Sequence, residues 1–366
     1  MRRNATGYFF IIFILLICFN DSVFTKNRSI LKGKQDGFLK INDEMKAFVD
    51  KNLSGVIGQK EKLLKLISSL NDETNLGFKY SNYKTMTAEE TFKNRSGNCI
   101  SYTAMFIVLA RYAGLTAKFQ EVSDFSDWTK KNDVMVFSKH MNAVVRIGDK
   151  NIEVDFRYQN ENKFLHRKIV NDNRAIAHYY NNLGAEALML KKFKLAETYF
   201  YKGISSDKKF SLVWSNLGVL YQHINRIELA ERIYNIALRF DKSNHSAQLN
   251  LSNLYIKTGR IRKGKALQNR IRKYMKGNPY YHFNLGKIAY GKGEFYKAIK
   301  YYKSAVKRDR TIPEFYIQIG AAYFKLGNRK FAEKFIKKAS KLAKTSRELE
   351  LYKKKLNYIY VNIKKK

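Results

Sequence analysis

The sequence predicts an α+β domain over residues 41–173, followed by an all-α solenoid of helical repeats over residues 177–346. Three observations predict this. A long apolar stretch headed by Cys99 gives way to short alternating runs, the pattern of a buried helix followed by strands. Small residues then recur every 34 positions, at Gly184, Gly218, Ser252, Gly286 and Gly320. The chain, 366 residues and 45 % hydrophobic, is long and apolar enough for two cores.

At the N-terminus, MRRNATGYFFIIFILLICFNDS sets Arg2 and Arg3 before a twelve-residue apolar run, too short to span a bilayer comfortably. This predicts a signal peptide within residues 1–25 and export, to a bacterial periplasm or cell envelope. Two alternatives stand beside it. Leu15-Leu16-Ile17-Cys18 resembles a lipoprotein box except that Ile17 occupies a small-residue position, and an uncleaved segment would anchor the chain in the membrane. Once that segment is removed or lipidated, Cys99 is the one free thiol of the two cysteines, so it cannot join an internal disulfide.

After a polar linker, INDEMKAFVDKNL and GQKEKLLKLISSLND carry apolar residues at helical spacing. TMTAEETF follows, with Thr87 and Glu90 spaced as a capping box. Cys99 to Tyr112 then reads as a buried helix stopped by Gly114. AKFQEV, VMVF, HMNAVVRI and NIEVDF read as strands, the last two joined by a turn at Gly148-Asp149.

A cysteine attacks as its thiolate, and an ordinary thiol with a pKa of about 8.5 is mostly protonated at neutral pH. A helix N-terminus and a nearby imidazole both stabilise the anion. Gly97 is expected to permit the tight turn into the Cys99 helix, with Asn98 or Ser96 as its cap. Alternation places His140 and Asn142 on one face of HMNAVVRI, and Glu153 and Asp155 on one face of NIEVDF. A hairpin of those strands sets His140 beside Asp155, a base with a carboxylate to orient it.

GNCISYTAMFIVLARYAGLTAKFQEV, then KHMNAVVRI, then IEVDFRY, resembles the transglutaminase-like superfamily over residues 41–158, and with it the cysteine-protease fold of that group. The resemblance implies that Cys99 is the nucleophile, His140 the general base and later acid, and Asp155 the orienter. It also implies acyl transfer on an amide through a thioester, released to water by a peptidase or amidase, or to an amine by a transferase. The Cys99 N–H and a second donor would form the oxyanion hole, with Tyr80, Tyr83 and Trp128 as unranked candidates.

The 34-residue units resemble the tetratricopeptide repeat, as in WSNLGVLYQHINRIELAERIYNIAL and HFNLGKIAYGKGEFYKAIKYYKSAV. Five units are expected, with a basic capping helix over residues 347–366. Lys208, Lys242, Lys276, Arg310 and Lys344 stand where the family usually has proline, and the third unit has Gln268 where an aromatic is usual. By resemblance, the groove positions include His223, Asn253, Lys257, Lys287, Tyr290, Phe324 and Lys325. Of the 70 basic and 31 acidic residues, 42 and 12 lie from Ala177 onwards, a surplus of +30 out of +39. That field suits a partner with an acidic or C-terminal segment.

Other function classes find little support. The histidines other than His140 show no metal spacing, there is no glycine-rich phosphate loop, and export disfavours nucleic acid as a partner. No metal or cofactor is expected. The expectation is an exported thiol enzyme acting on protein or peptide amides, its repeats recruiting substrate or partner. The alternative is a non-catalytic protein-interaction scaffold of the cell envelope.

Overall fold

The computed structural model describes residues 37–81, 84–123, 128–131, 134–137, 140–155 and 166–343, together with residues 350, 352 and 354. The predicted signal segment therefore lies outside the described residues, as does nearly all of the predicted capping helix. Tyr352 within that helix is buried in an apolar cluster with Tyr316, Ile317 and Ile336. Among the described residues, no helix is long and apolar enough to cross a membrane.

Two amphipathic helices come first, α1 (Asp43–Leu53) and α2 (Gln59–Asn71). They bury Met45, Val49 and Leu53, and Leu63, Leu66 and Leu70, respectively. Asn42 opens α1 by accepting from the Met45 N–H. After the two-residue strand β1 (Lys79–Tyr80) comes α3 (Ala88–Asn94), opened by the expected capping box: Thr87 Oγ1 accepts from the Glu90 N–H, and Glu90 Oε2 accepts from the Thr87 N–H. Arg95, in the left-handed region at φ 50°, ends α3. The chain passes into β2 (Ser96–Gly97), which pairs in parallel with β1, and then into α4 (Cys99–Tyr112). Every residue of α4 from Ile100 to Ala110 is buried, so this helix is the axis of the core.

The main sheet runs β7-β6-β3-β8, with antiparallel neighbours throughout: β3 (Thr116–Ser123), β6 (His140–Ile147), β7 (Lys150–Val154) and β8 (His166–Val170). Gly148, at φ 56°, makes the turn between β6 and β7. VMVF does not join this sheet. As β5 (Val134–Phe137) it pairs with β4 (Trp128–Lys131), a strand absent from the sequence reading, in a separate ribbon. The edge strand β8 was also not anticipated.

From β8 the chain turns directly into α5 (Asp172–Met189), capped by Asn171. The α+β core does not stop there. Ala175, Tyr179 and Tyr180 of α5 belong to the same apolar cluster as α4, and Tyr179 stacks on Phe38 at 4.4 Å. The first repeat helix is thus also a wall of the α+β domain.

Among the described residues five helical hairpins follow, α5 with α6 (Phe193–Ser206), α7 (Ser211–His223) with α8 (Ile227–Phe240), α9 (His245–Lys257) with α10 (Ile261–Gly277), α11 (Pro279–Gly291) with α12 (Phe295–Arg308), and α13 (Pro313–Lys325) with α14 (Arg329–Lys341). The 34-residue spacing marks where paired helices touch. A Cβ on Gly184, Gly218, Gly286 or Gly320 would meet Phe200, Tyr234, Tyr302 or Ile336 at under 3 Å. The third hairpin has Ser252 and Gln268 at those positions and closes differently: Gly264 lets the helices approach, and Ser252 Oγ donates to the Gly264 carbonyl at 2.9 Å.

The described basic residues in the proline positions share a hydrogen-bonding arrangement. Six residues after each of the four described ones, a side chain donates to its carbonyl: Trp214 to Lys208 (2.9 Å), Gln248 to Lys242 (2.6 Å), His282 to Lys276 (3.0 Å) and Tyr316 to Arg310 (3.1 Å). Four different donors thus fasten the same corner, where the repeat family usually relies on the fixed φ of proline.

Gly286→Ala would place a methyl 2.4 Å from the fully buried Tyr302 ring. Overpacking of about 1–3 kcal/mol outweighs the roughly 1 kcal/mol gained in helix propensity, so its denaturation midpoint falls. The Tyr302 hydroxyl is buried without a partner, so Tyr302→Phe leaves the midpoint unchanged or raises it.

Candidate active site

Cys99 is the first residue of α4, half-buried and in no disulfide. Of the two caps the sequence offered, Asn98 is the one used. Its Oδ1 accepts from the Ser101 N–H at 3.1 Å and from Ser101 Oγ at 2.9 Å, while Ser96 lies in β2. Gly97 is needed for a reason other than the expected turn. Its φ is not positive, but a Cβ there would lie 2.9 Å from Ser101 Cβ and 3.2 Å from Thr91 Cγ2. The cysteine is delivered to the N-terminal end of a buried helix, where the dipole favours an anion.

His140 is the first residue of β6, and Asp155 immediately follows β7. The ladder ends at Ala143 opposite Val154, which brings Asp155 level with Asn142 and His140 one step along the same face. His140 Nε2 lies 2.6 Å from Asp155 Oδ2, and Asn142 Nδ2 donates to the same oxygen at 3.4 Å. The face the sequence marked as polar is buried: His140 is 8 % exposed and Asn142 3 %. The other ring nitrogen of His140, Nδ1, is buried without a hydrogen-bond partner, and Cys99 lies near enough to His140 to act on its titration. Thr103 Oγ1 sits one turn beyond Cys99, 2.7 Å from the Cys99 carbonyl and 3.1 Å from the Met141 carbonyl, so a single hydroxyl ties the helix to the strand.

Burial by itself would lower the His140 pKa. The hydrogen bonds to Asp155 and Cys99, with the negative charges of both, outweigh it and raise the pKa to about 9. The attraction is mutual: what favours the imidazolium favours the thiolate beside it. Tyr102 on the same helix is kept a neutral phenol by burial and by the charge of Asp155. The arrangement supplies a nucleophile, a proton carrier and an orienting carboxylate in contact.

The remaining candidates fare differently. β1 sets Tyr80 opposite Gly97, two residues before Cys99, and the Ser81 N–H donates to the Gly97 carbonyl at 3.0 Å. Tyr83 and the side chain of Trp128 lie outside the described residues. Of the groove positions, His223, Lys257, Lys287 and Lys325 are exposed and Asn253 is half-buried. Tyr290 packs edge-on against Phe295 at 5.2 Å, and Phe324 joins the cluster around Tyr316, so both aromatics serve helix packing. Sequence spacing also missed a second buried pair, His178 Nε2 and Glu121 Oε1 at 2.8 Å, because its partners lie 57 residues apart. Arg174 bridges Glu121 and Asp207 beside it, over the ring of Phe210.

Residues 48–156 match the family model of the transglutaminase-like superfamily, and residues 279–312 and 313–346 each match a tetratricopeptide-repeat model. The chain contains a transglutaminase-like domain followed by tetratricopeptide repeats. The transglutaminase-like match spans Cys99, His140 and Asp155. That superfamily typically includes cysteine-based enzymes, and tetratricopeptide repeats support binding of a protein or peptide. Similar solved structures include YrrB, a tetratricopeptide-repeat protein with an unusual peptide-binding site, at 17 % identity over 49 % of this chain and 92 % of that one, with a TM-score of 0.26. MamA from Desulfovibrio magneticus RS-1 gives 15 % identity, 47 % and 95 % coverage, and 0.26. PilF from Pseudomonas aeruginosa gives 15 %, 53 % and 92 %, and 0.27. A search of curated proteins found no match.

The site predicts its own titration. The imidazole of His140 should titrate near pH 9 by NMR. In Asp155→Asn it should titrate lower, because the carboxylate charge is gone. Because the folded pKa lies above the ordinary 6.5, this histidine stabilises the fold fully below pH 6.5, and that contribution is lost as pH rises through about 9.

Proposed function

We propose that the protein is a thiol enzyme that transfers acyl groups from amides of proteins or peptides, with Cys99 as nucleophile. The observation that carries this reading is the grouping of Cys99, His140 and Asp155, in which the carboxylate 2.6 Å from the imidazole favours its protonated form. Attack by Sγ on the amide carbon forms the C–S bond. His140 then gives its proton to the departing amine as the C–N bond breaks, leaving a thioester. Neutral His140 next takes a proton from water or an incoming amine as that group attacks, and collapse expels the thiolate and restores the resting pair. Asp155 keeps Nε2 engaged throughout, so that Nδ1 does the proton transfer. Water yields a hydrolase and a lysine amine yields a crosslink.

On this reading the basic groove residues His223, Lys257, Lys287 and Lys325 draw in an acidic segment of the substrate or of a partner. The N-terminal apolar run supports export to the bacterial periplasm or cell envelope, where Cys99 is the working thiol.

Casein offered with a fluorescent primary amine tests the transfer, and ammonia or new amino termini test hydrolysis. Turnover is expected in the parent, lost in Cys99→Ala, and reduced at least about 10²-fold in His140→Ala. The rate should fall above about pH 9, where the leaving amine no longer finds a protonated imidazole. Turnover undiminished in Cys99→Ala would sink the assignment.

A further inference from the structure

The cap of the nucleophile's helix is connected to the repeat region by side chains. Glu186 of α5 accepts at Oε1 from the Thr85 N–H (3.0 Å) and from the Thr85 hydroxyl (2.5 Å). Thr85 Oγ1 accepts in turn from Asn98 Nδ2 at 2.8 Å. Asn98 Oδ1 is then the atom that faces Ser101 N–H and Oγ, and Ser101 Oγ accepts from the Met86 N–H at 2.8 Å. Thr85 and Ser101 are fully or almost fully buried and Asn98 is 9 % exposed, so water is a poor substitute for any of these partners.

The polarity of each link follows from the one before. An ionised carboxylate only accepts, so the single hydroxyl proton of Thr85 points to Glu186. Its lone pair is left for a donor, which fixes the amide of Asn98 with nitrogen toward Thr85 and oxygen toward the helix. A reversed amide would set NH₂ against the Ser101 N–H and abolish the cap, one residue before Cys99. We propose that Glu186, on the first repeat helix, is a positioning residue for Cys99, acting through Thr85 and Asn98. The repeat region on this view is a structural part of the active site as well as a recruiting surface.

Two further observations fit. Burial raises the Glu186 carboxyl above its ordinary range, and the two bonds from Thr85 work against that rise by favouring the ionised acceptor. α5 is also packed into the α+β core through Ala175, Tyr179 and Tyr180, which makes its register relative to α4 definite. The inference rests on Cys99 being the nucleophile proposed above.

The test is the alkylation rate of Cys99 by iodoacetamide against pH, read on the Cys99 peptide by mass spectrometry in the full chain. The parent should hold a reactive plateau below pH 7. Glu186→Ala and Thr85→Val should lower the rate at pH 6 about fivefold, the effect of losing an N-cap bond, and move the profile to higher pH. Glu186→Gln, which can still accept both bonds, and Thr85→Ser should stay within about twofold of the parent. Thr85→Val keeps the volume of threonine and decides the matter if Glu186→Ala does not fold. A parent plateau that persists unchanged in both disruptive variants overturns the role of Glu186 alone. A parent with no plateau overturns the nucleophile assignment, and this inference with it.

Discussion

An imidazole with 8 % of its surface exposed can carry charge only with partners, because an ion buried alone costs several kcal/mol. Much of the α+β domain can be understood as the supply of those partners to His140. The carboxylate comes from the neighbouring strand, and the turn at Gly148 sets the register that brings it alongside. A slip of one residue between β6 and β7 would send Asp155 to the opposite face and leave the imidazole with burial alone. The thiol comes from the helix, and the shared hydroxyl of Thr103 holds that helix to the strand that carries His140.

What could be seen in the sequence was local. The Cys99 helix, the capping box at Thr87 and Glu90, and the faces of HMNAVVRI and NIEVDF all follow from periods of 3.6 and 2 and from turn residues within a few positions. What stayed hidden was long-range or non-periodic. β8, reading HRKIV, lacks alternation and is defined by pairing with β3. Thr85 and Glu186 are 101 residues apart and His178 and Glu121 57 apart, distances at which spacing carries no signal. Gly97 was singled out correctly but for the wrong reason, since a close approach leaves the same mark in a sequence as a strained turn. Tyr290 and Phe324, groove positions by resemblance, are half-buried and also pack between helices.

The repeat region shows how a period can survive changes in chemistry. What the 34-residue spacing preserves is a small residue facing a large one, and the hairpin with Ser252 and Gln268 recovers the approach through Gly264. The corners preserve a hydrogen bond to the same carbonyl with tryptophan, glutamine, histidine or tyrosine as donor. The first helix of the region has a double duty, since its residues also close the core around the Cys99 helix. A boundary drawn at residue 173 would cut through that helix.

The most direct test of the central claim is the thiolate absorbance at 240 nm against pH, taken as the difference between the full chain and its Cys99→Ala variant. The account predicts a thiolate signal that persists well below pH 7 and that in His140→Ala moves up toward the ordinary thiol value of about 8.5. A signal that rises only near pH 8.5 in the parent, and is unmoved by His140→Ala, would contradict it.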